Sequence, residues 1–381
     1  MNEELSKQIL NTVRQFIKTD VAPVVKNLED KDIYPTELAD KMAELGLFGI
    51  NIYKEHGGLG LNYRTLAQIF TELSKGWMSL AGILGTHTLA CYMIQNYGTD
   101  NQKKVYLPKL ATGEMRAGLG LTESHSGSDV QNIKTFAKKI SEGYEINGSK
   151  MFITNGSQGN LFILISKTKL NSDPKYKGIS CFIIEGTDKG FSVGQKLDKL
   201  GYRGVDTCEL LFEDCEIPLN RLLGEVEGNG FRQVMDGLET GRINVAARSV
   251  GVAKEALKLS IDYSRKRETF DKPIKDHQMI QSMIATMATK IKAAELLVND
   301  AAQLKDDGLR VDLESGMAKL FASEICQEVC LDAMRIHGGY GYTKDLPIER
   351  FYRDSPLMII GEGTNEIMKL LIAKRVYETN F

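Results

Sequence analysis

The chain has 381 residues, of which 42% are hydrophobic and 26% are charged, and its formal net charge at pH 7 is −2. These values are typical of a folded protein with two or three domains. Because the charge is nearly balanced and no long Lys/Arg block occurs, neither nucleic acid nor an anionic membrane is predicted as a partner.

The first ten residues, MNEELSKQIL, are acidic and mixed, so they predict neither a secretory signal nor a transit peptide. No apolar run reaches the roughly 20 residues that span a bilayer. The six cysteines include no Cys-x-x-Cys pair, and Cys326 and Cys330 are interpreted as core residues of a helix. We therefore predict a cytoplasmic protein without a disulfide framework.

Residues 1–115 are predicted to form a helical domain. Within ELADKMAELGLFGI, apolar residues recur at roughly helical spacing, namely Leu38, Met42, Leu45 and Leu47. Gly57, Gly58 and Gly60 then mark a loop.

Residues 116–223 are predicted to form a β domain, because the apolar runs become short and are bounded by turns. Asn147-Gly148 lies between two strand-like stretches and predicts a hairpin turn, since this pair tolerates positive φ. Further strands are predicted from NLFILIS, GISCFIIEG, FSVGQKL and CELLFEDCEIP. Strands at this spacing favour a small sandwich or barrel.

Residues 224–381 are predicted to form a helical bundle. Only one proline, Pro273, lies between Pro218 and Pro347. Spacings of four and three alternate along one apolar stretch, as in a helix packed nearly parallel to its neighbours. This stretch comprises Ile280, Ile284, Met287, Ile291, Ala294 and Val298.

The order of these elements predicts an α+β fold that is mainly helical, with the β-sandwich or barrel domain in the middle. No alternating βαβ pattern is present. Gly118-Leu119-Gly120 comes nearest to a Gly-x-Gly-x-x-Gly motif, but Glu123 stands where the third glycine belongs. A Rossmann-type cofactor site is therefore not predicted.

Two stretches of the β domain are candidates for ligand binding. LTESHSGSD, from Leu121 to Asp129, gathers small and hydroxyl residues around Gly127. Exposed backbone N–H groups there could bind an anion or a flat heterocycle, and a plain polar turn is the alternative. Thr154 presents a hydroxyl near Phe152 at the end of MFITN, which alone is ordinary strand chemistry.

Two stretches of the bundle are further candidates. In SRKRETFDKPI, the basic cluster 265–267 suits a phosphate or, equally, a solvated helix C-terminus. In RIHGGYGY, Gly338 and Gly339 suit a helix C-cap or the close approach of a ligand. The five histidines, among them His337, show no ligand spacing, so no metal site is predicted.

The stretch MIIGEGTNEI places a carboxylate, Glu362, between Gly361 and Gly363, just before a helix-like pattern. A glutamate near a helix start commonly serves only to stabilise the helix dipole. The flanking glycines, however, also clear space for a reactive side chain. Neither a Ser-His-Asp order nor a Gly-x-Ser-x-Gly motif offers another catalytic centre.

Taken together and in this order, the motifs make the chain resemble the acyl-CoA dehydrogenase family along essentially its whole length. The resemblance is carried by LTESHSGSD, NGSKMFITNG, DKLGYRGVDTCELLFEDCEIP, GRINVAA, YSRKRETFDKPI, GGYGYTKDLPIERFYRD and EGTNEI. It implies a C-terminal four-helix bundle and FAD held between that bundle and the β domain. It also implies an acyl-CoA substrate, an electron-transfer flavoprotein as acceptor, and a homo-oligomer, usually a tetramer.

The resemblance implies that Glu362 removes the α-hydrogen of an acyl-CoA thioester as a proton. A hydride then leaves Cβ for flavin N5, which gives a trans-2-enoyl-CoA. Such a base must be close and unhindered, because a Cα–H is a weak acid. The apolar approach 358–360 is expected to raise its pKa, whereas the nearby helix start favours the anion, so the net direction is left open. The Glu362 N–H and a flavin ribityl hydroxyl are expected to polarise the thioester carbonyl.

By the same resemblance, FAD contacts fall on Leu121, Thr122, Gly127, Ser128, Phe152, Thr154, Arg267, Phe270, Gln278, Arg335, Gly338, Gly339, Thr364 and Glu366. Phe152 covers one face of the flavin, Thr154 hydrogen-bonds near N5, and the loop 335–339 reaches the FAD of a neighbouring subunit. Substrate contacts fall on Ser128, Glu239, Arg242 and Gly363.

Several residues depart from the family pattern. Ser124-His125 replaces Pro-Gly, Asp271 replaces a glycine, Arg335 replaces a glutamine, and Gly361 replaces an aromatic residue. Loss of that ring enlarges the space beside Cα and Cβ, so a branched or bulky short acyl chain is predicted. One alternative is a flavin oxidase or monooxygenase of the same fold, against which the retained base and CoA-side residues argue. The other is a non-catalytic acyl-CoA-binding protein, against which the retained Glu362, Thr154 and Arg267 argue.

Overall fold

The computed structural model describes residues 2–379, and its first third is helical as predicted. The helices are α1 (Asn2–Phe16), α2 (Val25–Asp30), α3 (Thr36–Glu44), α4 (Tyr63–Gly76), α5 (Met78–Tyr97) and α6 (Asp100–Thr112). Side-chain caps fix where two of them begin: Asn62 accepts from Thr65 N at the start of α4, and Thr99 forms a capping box with Gln102 at the start of α6.

The helix predicted from ELADKMAELGLFGI is shorter than its apolar spacing indicates. Leu38 and Met42 are buried in α3, but Leu45 and Leu47 lie beyond its last residue. The helix ends because Gly46 adopts a left-handed conformation, with φ of 73°.

The middle third forms one seven-stranded sheet. Its strands are β1 (Ala117–Gly120), β2 (Phe136–Ile140), β3 (Gly143–Thr154), β4 (Leu161–Lys167), β5 (Ile179–Glu185), β6 (Phe191–Lys196) and β7 (Thr207–Pro218). The spatial order is β1-β4-β2-β3-β7-β6, and β5 pairs with β4. The four strands predicted from apolar runs are confirmed as β4 to β7, whereas the short β1 and the charged β2 were not predicted.

The predicted hairpin at Asn147-Gly148 is wrong. Both residues lie inside the single strand β3, and the turn to β2 comes earlier, at residues 141–142. The pair instead forms a bulge, because the register between β3 and β7 shifts between Ile146 and Gly148. Gly148 has φ of 141°, so the conformational freedom of glycine is used here for a bulge rather than for a turn.

The last third consists of long helices with a small hairpin between the first two. The helices are α7 (Gly230–Lys266), α8 (Gln278–Asp306), α9 (Asp312–His337), α10 (Ile348–Asp354), α11 (Leu357–Ile360) and α12 (Asn365–Thr379). The hairpin strands are β8 (Glu268–Thr269) and β9 (Lys272–Pro273). The predicted seam of α8 is confirmed, because Met287, Ile291, Ala294 and Val298 are all buried.

Helix α5 lies at the centre of the molecule, with both helical and β neighbours. It is buried along nearly its whole length and packs against α4, α7 and β1. Cys326 and Cys330 of α9 are buried core residues, as predicted. Among the described residues, no helix combines the length and the apolar character that crossing a membrane requires.

Candidate active site

Glu362 lies in a short turn between α11 and α12. Its backbone is left-handed, with φ of 57°, and the following Gly363 has φ of 88°. A non-glycine residue held in this region costs of order 1–3 kcal/mol and persists only where the surroundings enforce it. Phe152 and Phe270, two other predicted site residues, also have positive φ, at 63° and 54°. Backbone strain therefore accumulates at the predicted site.

The carboxylate of Glu362 points inward against α7. A Cβ added at Gly241 would lie 2.5 Å from Oε2, so a side chain at that position of the helix would displace the carboxylate. Oε2 itself is buried and has no hydrogen-bond partner among the described residues. Burial raises the pKa of Glu362, while Arg248, Arg242 and Lys319 act in the opposite direction. The sequence leaves the net direction of this pKa shift open, and burial decides it. Ile360 on the approach is 62% exposed rather than part of an apolar wall.

Lys319 of α9 holds the turn that carries Glu362. Its side chain is fully buried. Its Nζ donates to three oxygens of the turn and the two helices that flank it: Ile359 O at 2.9 Å, Gly363 O at 2.8 Å and Asn365 Oδ1 at 2.7 Å. Burial lowers the pKa of Lys319 to about 8. The turn is therefore fixed on both sides of Glu362 by one ammonium group that donates no hydrogen bond to the carboxylate itself.

The loop 121–129 is held by a second buried lysine. Lys150 of β3 donates to Leu121 O at 3.0 Å and to Glu123 Oε1 at 2.6 Å. Glu123 also accepts from the backbone and hydroxyl of Thr135. Leu121 and Thr122 are half-buried, whereas Gly127 and Ser128 are exposed at the tip.

Phe152 and Thr154 lie at the end of β3 that faces this loop. The register between β3 and β7 shifts between Lys150 and Ile153, and this irregularity turns Phe152 outward. Its ring is 63% exposed, which suits a platform for a flat ligand. Thr154 is half-buried and its side chain hydrogen-bonds to Tyr202.

A cavity of about 600 Å³ lies where the β8–β9 hairpin meets the end of α9. Its lining includes four predicted FAD contacts: Arg267, Phe270, Gly338 and Gly339. Phe270 is 89% exposed, and a Cβ added at either glycine would meet no neighbouring atom within 4 Å. Gly338 also caps α9, which is one of the two alternatives predicted for it, and the approach of a ligand there stays a prediction. Asp271 adopts φ of 61°, which explains why glycine suits that position.

Some predicted contacts lie outside this cavity. Gln278 begins α8 and is exposed, and Arg335 forms an ion pair with Asp332 on the surface of α9. Thr364 accepts from Ile367 N near the start of α12, and Glu366 is exposed on that helix. Within one chain, the loop 335–339 lies next to Arg267. Its contact with the FAD of a neighbouring subunit stays a prediction.

Glu239 and Arg242, the predicted substrate contacts on α7, are both buried. Glu239 Oε2 accepts from Lys305 Nζ at 3.1 Å and from Val311 N at 3.3 Å. Arg242 Nε has no hydrogen-bond partner within residues 2–379, and burial lowers the pKa of its guanidinium. The structure therefore anchors Glu239 firmly and leaves Arg242 with unused donor capacity.

Sequence reasoning missed three residues of this site: Lys319, Arg248 and Tyr202. A signal was present for the first two, because each is a single cation within a run of apolar and small residues, GMAKLFAS and NVAARSVGVA. A cation at such a place on a buried helix face needs a polar partner. Tyr202 gave no such signal, since its position depends on the loop before β7.

Three family models together cover nearly the whole chain. They describe the N-terminal domain of acyl-CoA dehydrogenase over residues 3–114, the middle domain over residues 118–215 and the C-terminal domain over residues 228–377. Their order follows the three regions of the fold.

Full-length relatives agree with these models. The chain is 41% identical over 363 residues to an acyl-CoA dehydrogenase of Bacillus subtilis (strain 168), covering 95% of each chain. It is 42% identical over 378 residues to an acryloyl-CoA reductase (NADH) of Anaerotignum propionicum, covering 98% of this chain and 94% of that protein. The solved butyryl-CoA dehydrogenase of Megasphaera elsdenii matches with a TM-score of 0.95 at 34% identity, covering 98% of each chain. The chain therefore belongs to the acyl-CoA dehydrogenase family.

Proposed function

We propose that the protein dehydrogenates a short acyl-CoA thioester between Cα and Cβ to a trans-2-enoyl-CoA, with Glu362 as the base. One observation carries this proposal: Glu362 Oε2 is buried and unpartnered in a strained turn between two glycines. A carboxylate in that state gains most from a proton donor brought into the site, and its raised pKa makes it a stronger base.

The surrounding residues prepare Glu362 for proton removal. Lys319 fixes the backbone of the turn through three hydrogen bonds, so that the side chain keeps its freedom while its origin does not move. The three nearby cations keep enough of the carboxyl group ionised to accept a proton. The Glu362 N–H is assigned to the thioester carbonyl, where it stabilises the charge that develops as the α-proton leaves.

FAD is the cofactor of the proposed reaction, and when bound it accepts the hydride from Cβ. The residues of the cavity fit its adenosine diphosphate half, because a guanidinium, exposed aromatic rings and an open glycine backbone meet there. We assign Arg267, Phe270, Gly338 and Gly339 to that half, with Gln278, Arg335, Thr364 and Glu366 at its margins. The flavin side is assigned to Leu121, Thr122, Gly127, Ser128, Phe152 and Thr154.

The substrate is assigned to the groove between the turn of Glu362 and α7. The CoA moiety approaches from the side marked by Ser128, Gly363, Arg242 and Glu239. Glu239 acts by fixing Lys305 there through a hydrogen bond. At Gly361 an added Cβ would meet only Leu357 O, at 3.4 Å, so the space of the missing aromatic ring stays open. This space supports a short acyl chain that can carry a branch.

The electrons leave through another protein. Because the chain has no Gly-x-Gly-x-x-Gly motif for a nicotinamide cofactor, we propose an electron-transfer flavoprotein as acceptor. We also propose that the protein forms a homo-oligomer, namely a tetramer. Large apolar side chains exposed on the C-terminal helices support this assembly. These include Met279, Leu296, Leu331 and Leu370.

A second candidate is the reverse reaction, reduction of a 2-enoyl-CoA, and the similarity to an acryloyl-CoA reductase supports it. The same residues serve both directions, because a carboxyl group that has taken the α-proton can return it. The redox potential of the electron partner then sets the direction.

The test begins with the colour of the purified protein, which should carry the absorbance of bound flavin. Butyryl-CoA and isobutyryl-CoA are added without oxygen, and the flavin band is followed. A dehydrogenase bleaches and stays bleached until an artificial acceptor is added, and isobutyryl-CoA should bleach it at least as fast as butyryl-CoA. Protein that retains no flavin, or that bleaches with no short acyl-CoA, would contradict the proposed function. Immediate recovery of the band in air would identify an oxidase.

A further inference from the structure

Beside Glu362, α5 and α7 meet along a seam that contains Gly241, Gly85 and Gly82. Gly241 of α7 lies against the Glu362 carboxylate. About one turn further along α7, the amide of Asn244 fills the space over Gly85 of α5, where an added Cβ would collide with it. The seam therefore leads from the candidate base along both helices, into the interior of the protein.

The seam ends at Arg248 and Tyr202. Arg248 lies seven residues beyond Gly241, which is about 10 Å along the helix axis. Its guanidinium lies 5.5 Å from the centroid of the Tyr202 ring, and its Nη1 is 3.5 Å from the Tyr202 hydroxyl. That hydroxyl occupies the space over Gly82 of α5, where an added Cβ would overlap it. The end of the seam is therefore formed by a guanidinium and a phenol rather than by an apolar wall.

Arg248 has no counter-ion of its own. The side chain is 7% exposed, Nε has no hydrogen-bond partner, and the guanidinium forms no salt bridge within residues 2–379. It is first among the three cations that lower the pKa of Glu362, the others being Arg242 and Lys319. Glu362 is thus shared among three cations, of which Arg242 also faces Glu239 and Asp312. A buried charge without a paired partner is unfavourable.

An anion at the end of the seam would satisfy this arrangement, and to reach it an acyl chain must displace the Asn244 amide from the space over Gly85. A short acyl chain whose Cα lies beside Glu362 points its far end along the seam toward Arg248. A carboxylate there can accept paired hydrogen bonds from the guanidinium and another from the Tyr202 hydroxyl, and such charge-assisted bonds are the strong ones. A terminal methyl group would instead leave these donors unpaired.

We propose that Arg248 and Tyr202 bind a carboxylate at the far end of the acyl chain, so that the preferred substrates are CoA monothioesters of short dicarboxylic acids. This inference rests on the proposed function and names its substrate class. It assigns to these two side chains a role beyond the effect of Arg248 on the pKa of Glu362 and the hydrogen bond between Tyr202 and Thr154.

The experiment compares glutaryl-CoA with pentanoyl-CoA, which have the same five-carbon chain and differ in the terminal group. Dissociation constants are measured calorimetrically on Glu362→Gln holoenzyme, so that binding is separated from turnover, and kcat/KM is measured on the wild-type holoenzyme. We expect glutaryl-CoA to bind at least about tenfold more tightly and to give the higher kcat/KM. In Arg248→Met the preference should reverse, and in Tyr202→Phe it should shrink severalfold.

Arg350→Met provides the matched control, because Arg350 is an equally buried arginine whose guanidinium donates to Gly76 O in α4. That variant should keep the preference for glutaryl-CoA. Equal or tighter binding of pentanoyl-CoA, or an Arg248→Met enzyme with an unchanged preference, overturns the inference while dehydrogenation of pentanoyl-CoA leaves the proposed function intact. If neither thioester binds or bleaches the flavin, the proposed function fails and this inference fails with it.

Discussion

Two glutamates with buried carboxylate oxygens, Glu123 and Glu362, lie in glycine-containing turns that are each held by a buried lysine, yet their surroundings are opposite. Glu123 accepts from Lys150 Nζ, from two backbone N–H groups and from the Thr135 hydroxyl. Its pKa is lowered, because these donors outweigh the effect of burial. Glu362 Oε2 has no partner in the described chain, and burial raises its pKa.

The difference lies in where each lysine directs its ammonium group. Lys150 donates to the glutamate itself, whereas Lys319 donates to the backbone on either side of the glutamate. A lysine paired with the carboxylate makes a structural anchor for the loop 121–129. A lysine paired with the flanking carbonyls fixes the turn and leaves the carboxylate available. Residue type and burial alone therefore do not distinguish a reactive glutamate from a structural one.

Exchanging the two carboxylates for amides tests this contrast most strongly. Glu362→Gln should lower turnover by about 10²–10⁴-fold, because an amide cannot take the α-proton. Glu123→Gln should lower turnover per bound flavin far less and should act mainly on stability. The measurement is anaerobic bleaching by an acyl-CoA, normalised to flavin content. Similar turnover losses in the two variants would remove the distinction between them.

Removing the lysine that neutralises Glu123 should destabilise the fold. Lys150→Met leaves Glu123 buried without its counter-ion, and breaking such a pair costs about 3–5 kcal/mol. Urea unfolding of the holoenzyme measures the loss. Adding Glu123→Gln should recover part of the stability, because the uncompensated charge is then gone. A double variant no more stable than Lys150→Met would mean that the pair is not the source of the effect.

The lysine beside Glu362 should instead shape the dependence of activity on pH. Activity should rise with pH as Glu362 loses its proton, at a pKa above the ordinary glutamate value of 4.5. It should fall again near pH 8, where Lys319 loses its proton, because a neutral amine has only two N–H donors for the three oxygens through which it fixes the turn. Lys319→Met should remove the alkaline fall, move the acid rise to higher pH and lower turnover by up to about 10²-fold through misplacement of the turn.

Lys319→Arg is the control, since a guanidinium keeps the charge and donors but does not titrate below pH 12. It should lose the alkaline fall while keeping the acid rise closer to its wild-type position. An alkaline fall that persists in both variants would assign it to another group.

The helices and most strands could be predicted from the sequence because apolar periodicity reports burial directly. The α8 seam and strands β4 to β7 are clear examples. The error at Asn147-Gly148 has a physical reason: the same positive φ that closes a hairpin also makes a bulge, and only pairing with β7 decides between them. Strand β2, with two lysines and an exposed face, carries no apolar alternation to detect.

The candidate site could be predicted from the sequence only where local motifs mark its residues. Motifs identified Glu362, Phe152, Thr154 and Arg267, because their resemblance to a family preserves residue type and order. The charges around Glu362 come from α7 and α9, far away in sequence, and only folding brings Arg248 and Lys319 to it. Long-range electrostatic surroundings of this kind have no local sequence pattern.

The two glycines beside Glu362 give the smallest and most local test of the contrast between the turns. Gly363 has φ of 88°, and a Cβ there would lie 2.9 Å from Met368 Cε, so Gly363→Ala should cost about 1–2 kcal/mol of unfolding free energy. Gly361 has φ of −67° and ψ of 155°, which any residue adopts, so Gly361→Ala should change stability by no more than about 0.5 kcal/mol. Urea unfolding compares them directly. Equal costs would mean that the strain at Glu362 does not depend on its left-handed neighbour, and that the turn is set by Lys319 alone.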